Sequence, residues 1–187
     1  MDELKKQIIF NDKNKYPDIV NDIQQLSIPC DLFDFQNPIK DPIELSQELI
    51  EIMYLYKGLG LSANQIGINA KVFAMRGSPE NFVFFNPRIV DQSSNDNIDI
   101  EGCLSFPGLS FKVKRSNEVR IRFQGPDGQT YTKIFKGLSA RIIQHEMQHM
   151  NGQFFWKGLS RWTIEKSIRE AQKRGFDYEG KGLLKYK

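Results

Sequence analysis

The sequence predicts an α+β fold, because segments with helical periodicity lie at both ends of a run of strand-like segments. Apolar side chains recur at helical spacing over residues 42–57, directly after Asp41 and Pro42, which are typical of a helix start. Two further helices are predicted by the same spacing over residues 139–151 and 160–174. The strand-like segments all lie between the first and second of these helices.

Four segments between the helices have the composition of β-strands: residues 71–75, 81–85, 119–123 and 131–135. In the third segment, apolar residues alternate with Arg120 and Arg122, which predicts one buried and one exposed face. The Gly-Pro-Asp-Gly sequence at residues 125–128 predicts the turn of an antiparallel hairpin. The polar residues 91–97 are predicted to form a turn or excursion.

The composition excludes several classes of protein. Apolar residues make up 40% and charged residues 26% of the chain, which is typical of a soluble globular protein and not of a disordered one. Two cysteines, Cys30 and Cys103, cannot form the disulfide framework of a small secreted protein. No apolar run approaches the roughly 18 residues of a membrane span, and the charged N-terminus lacks the apolar core of a signal peptide. We therefore predict a single domain over residues 1–187, located in the cytoplasm and not in a membrane.

The basic excess of the chain lies at its C-terminal end. The formal net charge is +3, which is too small to indicate a nucleic-acid-binding protein. Between Arg161 and Lys187 there are eight basic and four acidic residues, a charge of +4, so the remaining chain carries −1. Charge alone favours a solvated basic helix and tail at about residues 160–187.

Residues 145–149, with the sequence His-Glu-Met-Gln-His, form an HExxH motif on the second predicted helix, for which Ser139 is the candidate N-cap. Residues four apart lie on one helix face, so His145 and His149 can both reach one metal ion. Glu146 lies roughly 100° around the helix from His145, where it can act on a water molecule instead of binding the metal. The chain has two histidines, so any histidine-dependent chemistry takes place here.

The residues alone leave the third metal ligand open. A metzincin protease requires a third histidine where this chain has Phe155, so that class is excluded. A thermolysin-like protease takes a downstream glutamate, for which Glu165 and Glu170 are at a suitable distance. Cys103 is the other candidate for the third ligand of a catalytic metal. Cys103 and Cys30 together could instead complete a structural zinc site with four protein ligands.

A glycine-rich segment at residues 58–67 is predicted to be a tight loop. Its spacing fits a loose dinucleotide-binding fingerprint, but that fingerprint requires a strand before it and a helix after it, and here a helix precedes and a strand follows. The glycines allow a peptide backbone to approach closely. Gln65 supplies a side-chain amide as a hydrogen-bond donor.

Three segments, GLGLSANQ, EGCLS and QHEMQHMNG, together resemble the signature motifs of the peptide deformylase family, over about residues 16–173. The resemblance implies antiparallel β-sheets packed around a central helix that carries HExxH, with a C-terminal helix. It also implies one divalent metal, natively Fe²⁺ and replaceable by Zn²⁺, Ni²⁺ or Co²⁺. The implied metal ligands are Cys103, His145 and His149. The implied catalytic groups are Glu146 as acid and base, and Gln65 with the backbone N–H of Leu104 as donors to the oxyanion.

The resemblance further implies the substrate and the partners. The family removes the formyl group from the N-terminal formyl-methionine of nascent chains, and we expect a monomer that docks on the ribosome through its basic C-terminal helix. The backbone at Gly60 is expected to pair with the extended peptide, and Arg141 to contribute its stem to the pocket. The expected apolar slot for the methionine side chain is lined by Leu59, Leu104, Leu138 and Ile142.

Two positions depart from the family pattern. Ser62 stands where the family usually has alanine, and Gln148 stands where it usually has aspartate. Arg122 is the predicted partner of that aspartate in related proteins. Because an amide can form hydrogen bonds without an ion pair, we predict that Gln148 is tolerated and that the protein is active.

Overall fold

A computed structural model describes residues 16–178 and 181–186. The helices are α1 (Ile23–Leu26), α2 (Pro42–Leu55), α3 (Gly137–Met150) and α4 (Arg161–Lys173), and 3₁₀ turns cover Ala63–Ile66 and Leu183–Tyr186. The side chain of Asp41 caps α2, because its carboxylate accepts hydrogen bonds from two backbone N–H groups of the first turn. The three helices predicted from periodicity are therefore present, with bounds that differ by a few residues.

The strands are β1 (Gly60–Ser62), β2 (Val72–Met75), β3 (Phe82–Gln92), β4 (Asp96–Gly102), β5 (Ser110–Ser116), β6 (Glu118–Gln124) and β7 (Thr130–Lys136). Five of them form one antiparallel sheet in the order β1-β2-β3-β6-β7. Strands β4 and β5 form a separate antiparallel hairpin. The predicted α+β class is confirmed, and so is the hairpin around residues 125–128, which joins β6 to β7.

Two local predictions are wrong. Residues 91–97 are not one turn, because β3 continues to Gln92 and β4 begins at Asp96. Ser139 is not the N-cap of α3, since the helix begins at Gly137 directly after β7. Gly137 has a φ of 57°, a left-handed conformation that lets the chain pass from strand to helix without a linker.

Helix α3 is the centre of the fold and contacts strands of both sheets. Its apolar side chains, such as Ala140 and Ile143, are fully buried against Phe84 and Val119 of the larger sheet. Helix α2 covers β1 and β2 through a separate apolar cluster. A third cluster joins α4 to the β5 region and contains the buried Trp156. The HExxH motif is therefore fixed between the two sheets.

No helix within residues 16–178 and 181–186 is long and apolar enough to cross a membrane. The predictions made from the first residues of the chain concern positions 1–15, which lie outside the described residues.

Candidate metal centre and active site

Three potential metal ligands converge where α3 faces the end of β4. His145 and His149 lie one turn apart on the buried side of α3, and Cys103 directly follows β4. The Cys103 Sγ and His149 Nε2 atoms are 3.1 Å apart. One ligand atom from each of the three residues lies within 4.8 Å of the others. One sulfur and two imidazole nitrogens form a donor set suited to zinc or iron, so the site fits a divalent metal.

The three potential ligands influence one another's protonation. Burial alone would raise the pKa of Cys103, but His149 and His145 outweigh burial and lower it well below the ordinary value. Burial would lower the pKa of His145, while Cys103 and Glu101 raise it. The thiolate form, which is the form that binds metals, is therefore favoured at Cys103.

Glu101 orients His145, a role that the sequence did not reveal. The His145 Nδ1–H donates to Glu101 Oε2 over 3.0 Å, which leaves Nε2 of the imidazole to face Cys103. Arg115 donates twice to the Glu101 carboxylate, over 2.9 and 2.8 Å, and Arg141 donates once over 2.7 Å. Burial opposes the charge on Glu101, yet Arg115 and His145 hold its pKa at about 2. The carboxylate is therefore charged and is held by four hydrogen bonds from three residues.

Residue 148 of this chain has its hydrogen-bond partner on β5. Gln148 Oε1 accepts a hydrogen bond of 2.7 Å from Arg115 on β5, and not from Arg122. Arg122 instead lies opposite Arg88 in the β3–β6 pair. Arg141 lines the cavity as expected, but its guanidinium also donates to backbone oxygens of the β4–β5 hairpin. The missed residues Glu101 and Arg115 carry no sequence signal except that Glu101 belongs to the EGCLS segment.

Glu146 has the environment of a proton-transfer residue. Its side chain is buried and lines the cavity in front of the three ligands, and its Oε2 atom has no hydrogen-bond partner among the described residues. Burial raises its pKa, with His145 and His149 opposing the rise. Gly60 of β1 lies against this carboxylate, so that a Cβ at residue 60 would be 2.5 Å from Glu146 Oε1. Any larger residue at position 60 would therefore displace the Glu146 carboxylate.

Two hydrogen-bond donors lie beside the ligands. Gln65 is buried, and its amide oxygen accepts from the Ser62 backbone N–H over 3.0 Å. This contact directs Gln65 Nε2 toward Cys103 Sγ, at 3.5 Å, and Ser105 Oγ, at 3.0 Å. The Leu104 backbone N–H has no acceptor among the hydrogen bonds of the described residues. These two groups are the candidate donors to a negatively charged oxygen near the ligands.

A cavity of about 360 Å³ opens in front of this cluster. Its lining includes all the residues predicted for the methionine slot: Leu59, Leu104, Leu138 and Ile142. Leu59 and Leu138 are exposed at the rim, at 48% and 58%, whereas Ile142 is buried at the base. Ile100 of β4 also lines the cavity and was missed, because no strand was predicted over residues 96–102 although Ile98 and Ile100 alternate with polar residues there.

The alternative ligands lie elsewhere. Glu165 and Glu170 on α4 form ion pairs with Arg161 and Lys173 at the surface. Cys30 is buried in the apolar cluster beneath α3, where burial raises its pKa to about 11. Among the described residues, the ligand cluster contains Cys103 and the two histidines and none of these alternatives.

Two histidines of an HExxH helix, with a cysteine sulfur as the third donor, are typical of metal-dependent hydrolases. The sequence profile of the family described as polypeptide deformylase matches residues 17–164, and the chain belongs to this family. Its predicted assignment to enzymes that remove the N-formyl group from nascent peptides is confirmed.

Individual relatives agree with this assignment. The peptide deformylase of Pseudothermotoga lettingae is 37% identical over 142 residues, which cover 72% of this chain and 82% of that protein. The peptide deformylase of Wolbachia pipientis from Culex pipiens is 31% identical over 180 residues, covering 89% and 99%. The crystal structure of a Synechococcus elongatus peptide deformylase in complex with actinonin matches with a TM-score of 0.78 at 26% identity, covering 90% of this chain and 92% of that one.

Proposed function

We propose that Cys103, His145 and His149 hold one divalent metal ion at which the formyl group of N-terminal formyl-methionine is hydrolysed. The observation that carries the proposal is the convergence of these three donors at one cavity with the buried Glu146, whose Oε2 atom has no hydrogen-bond partner among the described residues. The products are formate and a peptide with a free N-terminal amine.

Different residues have different roles in the proposed hydrolysis. A metal ion bound there supplies Lewis acidity, which makes water a better nucleophile near neutral pH and polarises a carbonyl. Glu146 accepts the proton of the attacking water and then donates it to the leaving amine nitrogen. Gln65 Nε2 and the Leu104 N–H donate to the formyl oxygen as it gains negative charge, each contributing roughly 3 kcal/mol at the transition state. Glu101 acts through His145, whose ring it orients.

We propose that the peptide binds as an added strand beside β1. Strand β1 is the edge strand of the larger sheet, so its second edge is open to pairing at Gly60. The methionine side chain then enters the apolar part of the cavity lined by Leu59, Leu104, Leu138 and Ile142. This arrangement presents the formyl group to Glu146.

We infer that the native metal is Fe²⁺ and that Zn²⁺, Ni²⁺ or Co²⁺ can replace it. A thiolate ligand reduces the effective charge of the metal relative to three neutral imidazoles, which leaves more of the proton transfer to Glu146. The test is formate release from a formyl-Met-Ala-Ser peptide by protein loaded anaerobically with Fe²⁺ or with Zn²⁺. We expect turnover with both metals and faster turnover with Fe²⁺, with loss of the iron activity in air. Absence of formate release with either metal would overturn the proposed function.

We also propose that α4 docks on the ribosome through phosphates of its RNA. Lys166, Arg169 and Lys173 are exposed on this helix, whereas Ile164 is buried against the body of the protein. Docking of this kind weakens steeply as salt rises.

Replacing these three cations with glutamine should strongly reduce co-sedimentation with ribosomes at low salt and leave hydrolysis of a small formyl-Met peptide unchanged. The matched control is the triple glutamine variant of Lys112, Lys133 and Lys136, which are exposed on the strands. Equal co-sedimentation of the two triple variants would overturn this proposal.

We further propose that the chain forms a single catalytic domain over residues 1–187 and acts in the cytoplasm as a monomer. Nascent chains with formyl-methionine are made in that compartment, which supports the location. Light scattering on the purified protein tests the oligomeric state, and a mass near 21.7 kDa is expected.

A further inference from the structure

A second cleft lies on the other face of α3, behind the catalytic side. Its volume is about 470 Å³, and it is broadly open to solvent. Gln144, Met147 and Gln148 of α3 form one wall, while the other walls include Lys71 and Arg88. The cleft shares no lining residue with the cavity in front of the metal ligands.

The charged residues that line this cleft are all cations. Lys71, Arg88 and Arg115 line it, and none of the lining residues is acidic. Within the described part of the chain, neither Lys71 nor Arg88 forms an ion pair. The neighbouring acids have other partners, since the Asp31 carboxylate accepts from Asn69 and Asp91 pairs with Arg120.

Arg115 connects the cleft to the interior. The residue is only 8% exposed, and its Nε and Nη2 atoms donate to Glu101 and Gln148. Its Nη1 atom has no acceptor among the described residues, and this atom is not completely enclosed by the protein. Because Arg115 lines the cleft, this nitrogen is available to a molecule bound there.

Neutral donors complete the lining. Gln148 directs its amide oxygen to Arg115, which turns the amide nitrogen away from the guanidinium. Asn151 is exposed at the end of α3 and lines the same cleft. Two amide groups beside three cations suit a ligand that carries several acceptor oxygens and more than one negative charge.

We propose that this cleft is a binding site for a phosphate-type dianion, either free phosphate or the phosphate group of a small monoester. Arg88 and Lys71 supply the positive charge, because the charge of Arg115 is already paired with Glu101. The Nη1 atom of Arg115 and the amides of Gln148 and Asn151 supply hydrogen bonds. The cleft shares no lining residue with the catalytic cavity, and Arg115 links it to Glu101, which orients His145.

The test is isothermal titration calorimetry on the metal-loaded full chain with inorganic phosphate and, separately, glycerol 3-phosphate. We expect binding of one equivalent of each ligand, and tighter binding of glycerol 3-phosphate would identify a phosphate monoester as the preferred source. Binding should weaken at least about tenfold in the Lys71→Gln/Arg88→Gln variant, because two charged partners are lost. It should also weaken in Gln148→Glu, where a carboxylate of the same shape would pair with Arg115.

Arg122→Gln is the matched control. Arg122 lies directly opposite Arg88 in the sheet but does not line the cleft. The Arg122→Gln variant should therefore bind phosphate about as tightly as the parent does. Failure of the parent to bind either ligand at millimolar concentration would overturn the proposal. Unchanged affinity in Lys71→Gln/Arg88→Gln would overturn it as well, because the phosphate would then be bound elsewhere, such as at the metal. A thermal melt of each variant verifies that it is folded.

Discussion

Cys103 is the residue that distinguishes the proposed metal centre from that of an HExxH protease. Its sulfur lies 3.1 Å from His149 Nε2, and with the two histidines it forms the ligand cluster found among the described residues. Cys103→Ala should therefore lose tight metal binding, and activity should fall by orders of magnitude while the fold is kept. Metal content, formate release and circular dichroism measure the three effects. Cys30→Ala is the control and should keep its metal, and stoichiometric metal with activity in Cys103→Ala would contradict the ligand assignment.

Glu146 is proposed to move protons and not to bind the metal. Glutamine has the same shape as glutamate but cannot accept a proton at its amide. Glu146→Gln should therefore keep one equivalent of metal and lose turnover of a formyl-Met peptide. Metal analysis alongside single-turnover kinetics tests the two parts together. If the variant loses its metal, the proposed role of Glu146 is wrong.

Gln148 replaces the aspartate that the family usually carries, and it accepts a hydrogen bond from Arg115. Arg115 is held by the charged Glu101, so a neutral acceptor at position 148 leaves no buried charge without a partner. Gln148→Asp should therefore have a rate within about tenfold of the parent and retain its metal. An inactive parent beside an active Gln148→Asp variant would show that the present chain is a metal-binding relative without turnover.

At the scale of elements, the contact between β1 and α3 sets the width of the active site. A Cβ on Gly60 would lie 2.5 Å from Glu146 Oε1 and 2.8 Å from Ile142 Cγ2, so these side chains or the backbone of β1 must shift. Gly60→Ala should lower both the melting temperature and kcat. The control is Gly102→Ala, where the nearest atom would be 3.5 Å away, an ordinary contact. Equal melting temperatures and rates in the two variants would contradict the close approach.

Some of the helices and strands could be predicted from the sequence, and others could not. Helix α2 and the hairpin of β6 and β7 were predictable, because helical spacing, a capping Asp41 and a glycine turn are local signals. Strand β4 was missed, because it begins inside the polar run over residues 91–97 that predicts a turn. Its isoleucines Ile98 and Ile100 alternate with polar residues, but both are 64% exposed and add nothing to a core.

The ligand spacing of the candidate site was predictable for a similar reason, because it depends on one turn of a single helix. The Glu101–Arg115 contact was not predictable. It depends on the pairing of β4 with β5 and on the packing of α3 against that hairpin.

At the scale of the whole molecule, the C-terminal region is part of the fold and not an appendage. Ile164 and Ala171 are fully buried, and the Tyr178 hydroxyl donates to the Pro107 backbone oxygen in the segment that follows Cys103. Truncation after Leu159 should therefore lower the melting temperature sharply and abolish formate release. A truncated chain with parental stability and activity would show that the region is dispensable. The triple glutamine variant of α4 should keep the parental melting temperature, which separates loss of charge from loss of packing.

The distribution of histidine over the whole chain has a practical consequence. Both imidazoles belong to the candidate metal centre, and the sequence contains no others. Isotopic labelling of histidine alone would make nuclear magnetic resonance spectra report on this centre without background from the rest of the molecule. Long-range proton–nitrogen spectra of the zinc-loaded protein should contain two spin systems, with His145 in the tautomer that carries its proton on Nδ1. Titrating the metal would then follow each ring separately, and paramagnetic broadening with Fe²⁺ would remove both signals together.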